Sequence, residues 1–280
     1  MTTIEITEFT DPVCPFAWSA EPARRRIEWL YGDGIRLTPR MVGLHDSGEE
    51  MEREGLTPAM LAANAAKLAH AHHMPIDTRE PERLAGSVDA CRVVVAVRRG
   101  APERERAMLR ALRVVNFAGE LVDEDATLHR AAERAGVDPA ELDAWREDPA
   151  TETELRADMA AARSPTPEAL ALTGKLAPTR DGGRRYTCPS WELSRDGRTA
   201  TVPGFQPLAA YEVAIANLAP ELPRRRDPGS VAEVLEWAGE PLATAEVASV
   251  CSIEVDDARQ ALGRVASEEH IGFEGLWTLR

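Results

Sequence analysis

The feature that most limits how this chain can fold is a double change in the period of its apolar residues. In "TIEITEF", Thr3 to Phe9, apolar and polar side chains alternate and several are β-branched, which is the two-residue period of a strand. Pro15 suits the first turn of a helix, and Phe16 to Leu30 carry Trp18, Ile27, Trp29 and Leu30, with Pro22 as a kink. "YGDG" breaks that helix and "IRLTPRMVGL" gives a second strand, so the opening reads β-α-β with a crossover long enough for parallel pairing. From Ser47 to Thr173 the period is helical, through "PAMLAANAAKLAHAHH", "LAGSVDACRVVVAVRRG" and "ERERAMLRALRVVNFAG". The strand period then returns in "RRYTCPSWELSRDGRTATVPGF", where "RDGR" between two alternating runs signals a hairpin, and the helix "PLAAYEVAIANLAP" follows.

A β-α-β half, a long helical stretch and a β-β-α half make an α/β chain with the arrangement of a thioredoxin-like fold carrying a large all-helical insertion. The expected domain spans residues 1–218, with the insertion at about 47–175. Residues 219–229, rich in proline and charge, read as a linker, and 230–280 as a small separate unit of three helices and a short strand pair. Within it, "PLATAEVASVCSIEVDDARQALGRV" resembles the helix-turn-helix of winged-helix proteins. From Gly229 to Arg280 there are ten acidic and three basic residues. A tail so acidic repels a phosphate backbone, so nucleic acid is not expected as a partner and a packing or partner-binding role is. The whole chain, at a formal charge of −14, points the same way and makes anionic membranes poor partners. No apolar run is long enough to span a bilayer, and "MTTIEITEF" lacks the basic start and apolar core of a secretion signal, so the expected location is the cytoplasm. Nothing in the sequence speaks to oligomeric state.

Chemistry concentrates in "FTDPVCPFAWSAEP". Cys14 stands directly before Pro15, between the first strand and the first helix, with Asp11 three residues earlier. Unpaired N–H groups and the positive end of the helix dipole favour a thiolate there, so Cys14 is expected to be accessible, with its pKa lowered. Position 17, where a redox pair would keep its second thiol, is Ala17. Asp11 is expected among the substrate-binding residues at the groove, where it orients the loop or caps the helix, and Pro15, Phe16 and Trp18 to line the groove's apolar part, with a core role equally open to Trp18.

"DPVCPFAW" together with the helical insert and "YTCPSWEL" resembles the DsbA-like family of thioredoxin-fold oxidoreductases, especially its cytoplasmic branch of predicted dithiol-disulfide isomerases. That family has Asp-x-x-Cys-Pro-x-Cys where this chain has Ala17 last. The resemblance implies a proline with a cis peptide beside the active cysteine. Pro189 matches by position, Pro203 is the second candidate, and Thr187 falls in the substrate groove. It further implies that Cys188 lies near Cys14, either as a partner in a reversible disulfide or a shared metal site, or as a small residue filling a tight loop. The implied activity is thiol-disulfide exchange through the single motif cysteine, on protein or small-molecule thiol and disulfide substrates. Two alternatives remain open: use of glutathione or mycothiol by a transferase or isomerase, as in the related kappa transferases and hydroxychromene-carboxylate isomerases, and a non-catalytic protein-binding adaptor. No tightly bound cofactor or metal is expected. His70, His72 and His73 end a helix without a carboxylate or cysteine at ligand spacing, and Cys91 in "DACRVVVAV" reads as core.

Overall fold

Strands β1 (Ile4–Thr10) and β2 (Ile35–Met41) pair in parallel, Ile4 opposite Ile35 and Thr10 opposite Met41. Two helices connect them, α1 (Pro15–Ser19) and α2 (Glu21–Tyr31), where one kinked helix was expected. The break falls at Ala20, ahead of Pro22. Proline cannot donate inside a helix but suits a first turn, so the helix restarts around it. β2 forms the sheet edge, which lets it carry Pro39. The computed structural model describes residues 3–179 and 182–280.

The insertion contains α3 (Gly48–Arg53), α4 (Pro58–His72), α5 (Val88–Gly100), α6 (Glu105–Phe117), α7 (Asp125–Ala135), α8 (Pro139–Glu147), α9 (Pro149–Ala162) and α10 (Pro167–Leu170). Thr57, Asp138, Asp148 and Thr166 each cap a helix through the side chain and are followed by a proline in its first turn. α5 is buried along its apolar length among Met108, Leu112, Leu128, Leu142 and Leu155, and Met41 at the end of β2 joins that core. The insertion is thereby seated on the sheet beside the end of β1.

A short antiparallel pair, β3 (Leu176–Pro178) with β4 (Arg184–Tyr186), precedes the return to the main sheet. β5 (Ser190–Arg195) and β6 (Arg198–Val202) form the hairpin expected at "RDGR", with Asp196 and Gly197 both at positive φ. The main sheet runs β2-β1-β5-β6, with β5 antiparallel to β1, and α11 (Leu208–Leu218) packs back on it.

Beyond residue 230 come α12 (Val231–Ala238), β7 (Leu242–Ala243), α13 (Thr244–Cys251), α14 (Val255–Val265), β8 (Ala266–Ile271) and β9 (Glu274–Leu279). They build a three-stranded sheet of order β7-β9-β8, one short strand more than the sequence suggested. This unit shares a core with the first domain: Ile4, Ile27, Trp29 and Tyr211 pack in one cluster with Val231, Val247 and Trp277. Residues 219–229 lie along α2. Arg225 N donates to Leu30 O at 2.7 Å, Trp29 Nε1 donates to Arg226 O at 2.9 Å, and the Arg225 guanidinium covers the Trp29 ring at 3.5 Å. At the far end the β8–β9 turn reaches the insertion, where Phe273 stacks on His70 and Gly272 bridges to Ile76. Among the described residues no helix is long and apolar enough to cross a membrane.

Candidate active site

β1 ends at Thr10, and a tight turn with Cys14 N donating to Asp11 O at 3.2 Å delivers Cys14 as the N-cap of α1. As a thiol, Cys14 Sγ donates to the carbonyl oxygen of Cys188 at 3.5 Å. As a thiolate it accepts from the Cys188 thiol, the largest influence on it, and from the N–H groups of Ala17 and Phe16; burial and the Asp11 charge oppose these but are outweighed, so its pKa falls below that of an ordinary thiol. The expectation of an accessible Cys14 is corrected. It is 5% exposed, packed in one cluster with Phe9, Val42, Leu176 and Tyr186, and Ala17 is buried in the same cluster.

The loop bearing Cys188 is held from several sides. Tyr186 stacks on Phe9 with ring centres 4.4 Å apart, and its hydroxyl donates to Glu192 at 2.6 Å while accepting from Thr166 N. The Cys188–Pro189 peptide is cis. Ser190 Oγ donates to Thr187 O and accepts from Gly204 N at 2.8 Å. Gly204 has φ +70°, and a Cβ there would stand 3.0 Å from Thr187 Oγ1, so the approach of the two loops requires glycine. Thr187 itself is half-buried and donates to Lys175 O at 2.7 Å. Burial pushes the Cys188 thiol well up, and the neighbouring Cys14 sulfur adds to the rise.

Two expected groove residues prove to be core. Asp11 is fully buried and cannot touch a substrate; its carboxylate accepts from Val13 N, Leu44 N, Ser87 Oγ and Cys91 Sγ at 2.9–3.4 Å. It orients the loop and does not cap α1, which has no side-chain cap. Burial raises its pKa against those four donors. Trp18 is likewise fully buried, its Nε1 donating to Pro75 O at 2.9 Å, its ring stacked on Phe117 and covered by Arg110. Pro15 is half-buried, and Phe16 is the exposed member at 42%. Its ring lies 6.0 Å from Phe205, which in turn lies 4.9 Å from His72. The three histidines therefore have protein partners, His72 this ring, His70 Phe273, and His73 the Glu274 carboxylate at 3.2 Å.

The sequence alone does not point to Ser87, Tyr186, Ser190 or Phe205. Phe205 follows the Pro-Gly pair that closes β6, a local signal for an exposed loop tip; the other three are placed by contacts distant along the chain. Beside the loop Val13–Pro15, between it and the insertion, is a cavity of about 510 Å³ lined by Leu44, Leu61, Ala65 and Phe117, with Arg79 and Arg83 on its wall. Its volume suits a small molecule or a side chain of a larger one.

The DSBA-like thioredoxin domain model matches residues 5–166, more than half of the chain. Among curated proteins, the chain is 23% identical over 276 residues to the ClpXP adapter protein SpxH of Halalkalibacterium halodurans, covering 96% of this chain and 84% of that one. Among solved structures, it is similar to a probable DsbA oxidoreductase of Streptomyces coelicolor, with a TM-score of 0.56 and 22% identity over 80% of this chain and 92% of that one. It is also similar to the cytosolic disulfide reductase DsbM of Pseudomonas aeruginosa, with a TM-score of 0.52 and 16% identity over 76% of this chain and 99% of that one; DsbM has also been solved with GSH. With β1, α1 and Cys14 inside the matched span, the chain belongs to the DSBA-like thioredoxin-domain family.

Proposed function

We propose that this protein is a thiol-disulfide oxidoreductase with Cys14 as its nucleophile, working in the cytoplasm. The observation that carries this reading is the setting of the Cys14 sulfur, at a strand-to-helix junction, faced by the Cys188 thiol and two backbone N–H groups that together favour the thiolate. That thiolate attacks one sulfur of a substrate disulfide, a mixed disulfide forms, and the other sulfur leaves as a thiolate that takes a proton from water. The 510 Å³ cavity and the edge made by exposed Phe16 and half-buried Phe205 receive the apolar part of a protein or small-molecule substrate. A low-molecular-weight thiol such as glutathione or mycothiol serves as the reductant.

Reduction of an aromatic disulfide by glutathione tests the reading. Cys14→Ser is expected to lose at least about 10³-fold in rate, since a hydroxyl does not replace a thiolate in exchange. Alkylation of Cys14 by iodoacetamide is expected to show a midpoint below the ordinary thiol value of about 8.5.

The low exposure of Cys14 and the similarity to SpxH support a second reading, a protein-binding adaptor. An alkylation midpoint at or above that of a free thiol, with Cys14→Ser indistinguishable from wild type in disulfide reduction, puts the adaptor first. On either reading the acidic tail does not take nucleic acid as a partner.

A further inference from the structure

Of the four cysteines, Cys91 is fully buried on Asp11, with Sγ 3.4 Å from Oδ2, and Cys251 is half-buried in α13, its pKa pushed up to about 11 by burial. Cys188 is different. Its carbonyl oxygen is 3.5 Å from Cys14 Sγ, its thiol is the largest influence favouring the Cys14 thiolate, and both cysteines belong to one buried cluster although 174 positions separate them. Both are free thiols, each 5% exposed.

We propose that Cys188 is the resolving thiol of this site, supplying from the loop before β5 the second sulfur that Ala17 does not. The proposal rests on Cys14 being the nucleophile. Once Cys14 has taken one half of a substrate disulfide, Cys188 gives up its proton and attacks Cys14 Sγ. The bond from Cys14 to the substrate sulfur breaks, that sulfur leaves with the electron pair and is protonated, and a Cys14–Cys188 disulfide remains. Two molecules of a low-molecular-weight thiol then reduce it. Over the cycle one substrate disulfide becomes two thiols and two small thiols become one disulfide, so two electrons pass from one pair to the other.

The surroundings also set the order of events. While Cys14 is a thiolate, its charge and the hydrogen bond it accepts both hold the Cys188 proton in place, on top of burial. Capping Cys14 in a mixed disulfide removes both at once. Burial and Asp11 still resist ionisation, and Arg185 favours it. Cys188 is thus quiet while Cys14 is free and becomes a better nucleophile when there is something to resolve. Any cysteine elsewhere in the chain would lack this coupling.

The test uses the full chain, reduced, then exposed to oxidised glutathione and followed by intact mass. Wild type is expected to show a transient single-glutathione adduct that gives way to a species two hydrogens lighter than the reduced protein, with peptide mapping joining Cys14 to Cys188. In Cys188→Ser the adduct, once formed and at whatever rate it forms, should persist at least about tenfold longer than in wild type. Equal adduct lifetimes in the two proteins, with no loss of two hydrogens, overturn the proposal and leave Cys14 as a working monothiol. Absence of any adduct in both overturns it together with the nucleophile itself. Should Cys188→Ser not fold, the mapped linkage in Cys251→Ser, where the other partly exposed sulfur is gone, decides: a Cys14–Cys188 bridge supports it and an adduct that never resolves overturns it.

Discussion

Asp11 and Glu21 are carboxylates at either end of the same short stretch, 0% and 1% exposed, and their surroundings push them in opposite directions. At Asp11 burial wins, because its partners are neutral donors from the backbone, Ser87 and Cys91, and the pKa rises. At Glu21 burial also raises the pKa, but Arg24, Arg113 and Arg110 outweigh it and hold the carboxyl far below its usual range. Burial is common to both, so the number of cations decides the sign. The difference follows the work of each corner. The Asp11 corner holds Cys14, and its neutral donors fix the loop without adding a cation that would pair with the sulfur. The Glu21 corner is a fastening where three parts of the chain meet. Arg113, from α6, joins Glu21 and donates to Thr10 Oγ1 at 2.6 Å. Arg110, also from α6, reaches Glu246 of α13 at 2.7 Å and Pro241 O at 3.1 Å, and Arg25 of α2 joins Glu246 at 3.4 Å. The tail is thereby pinned to α2 and α6.

The largest effect should come from breaking the charged corner. Glu21→Gln removes the carboxylate that three buried arginines share; Arg24 keeps Glu28 and Arg110 keeps Glu246, but Arg113 loses its carboxylate partner in the core, a loss of about 3–5 kcal/mol in urea unfolding. Because the folded value of Glu21 is depressed, its contribution is present above the unfolded carboxylate pKa and is lost as pH falls towards the folded one. The gap between wild type and Glu21→Gln should therefore shrink on acidification below about pH 4.3. A gap that stays constant or widens there means that the arginines, and not Glu21, set the balance of this corner.

A smaller change should follow Asp11→Asn. An amide offers one oxygen where the carboxylate offered two, so either Val13 N or the group of Leu44 N, Ser87 and Cys91 faces another donor, at about 1–3 kcal/mol. Here the sign of the pH dependence reverses. The folded value of Asp11 is raised, so its contribution is complete below the unfolded pKa and fades as pH rises through the folded one, and the gap to the variant should narrow in that direction. The thiol reports as well. Since the Asp11 charge opposes the Cys14 thiolate, the alkylation midpoint of Cys14 should move down in Asp11→Asn. An upward or absent shift would show that the carboxylate reaches the sulfur only by placing the loop.

The two corners were not equally legible in the sequence. Cys14 between strand and helix, and the "RDGR" hairpin, follow from local rules, because a strand period, a proline in a first turn and two positive φ angles each leave a mark within a few residues. The nearness of Cys188 to Cys14 came only through the family resemblance, since nothing local ties residues 174 positions apart. The Asp11 partners Leu44, Ser87 and Cys91 were out of reach for the same reason. The charged corner misleads outright. "EPARRRIEW" has the spacing of a solvated helix face with local ion pairs, yet Arg24, Arg25 and Arg26 are all buried because α6 and α13 close over them. That same covering explains why the tail, with enough apolar residues for a small core of its own, reads as a separate unit while sharing a core with α2.

The smallest change should come at the outer edge of the thiol corner, where Phe16 is the exposed residue next to two buried ones, Cys14 and Ala17. The residue is 42% exposed and its ring lies 6.0 Å from that of Phe205, so Phe16→Ala should cost less than about 1 kcal/mol of stability. The backbone N–H of residue 16 that favours the thiolate remains after the substitution, so the alkylation midpoint of Cys14 should not move. What is lost is apolar contact with a bound substrate, about 1 kcal/mol, which is roughly a fivefold rise in KM for disulfides with aromatic or aliphatic groups. For a small hydrophilic disulfide such as oxidised glutathione KM should stay within about twofold, and kcat should hold for both, because contact made equally in the ground state and the transition state affects binding alone. Equal losses for apolar and hydrophilic disulfides would mean that Phe16 shapes the loop around the sulfur and takes no part in a groove. The neutral corner would then be closed on its outer side too, and substrates would have to approach Cys14 from the cavity beside Val13 and Pro15.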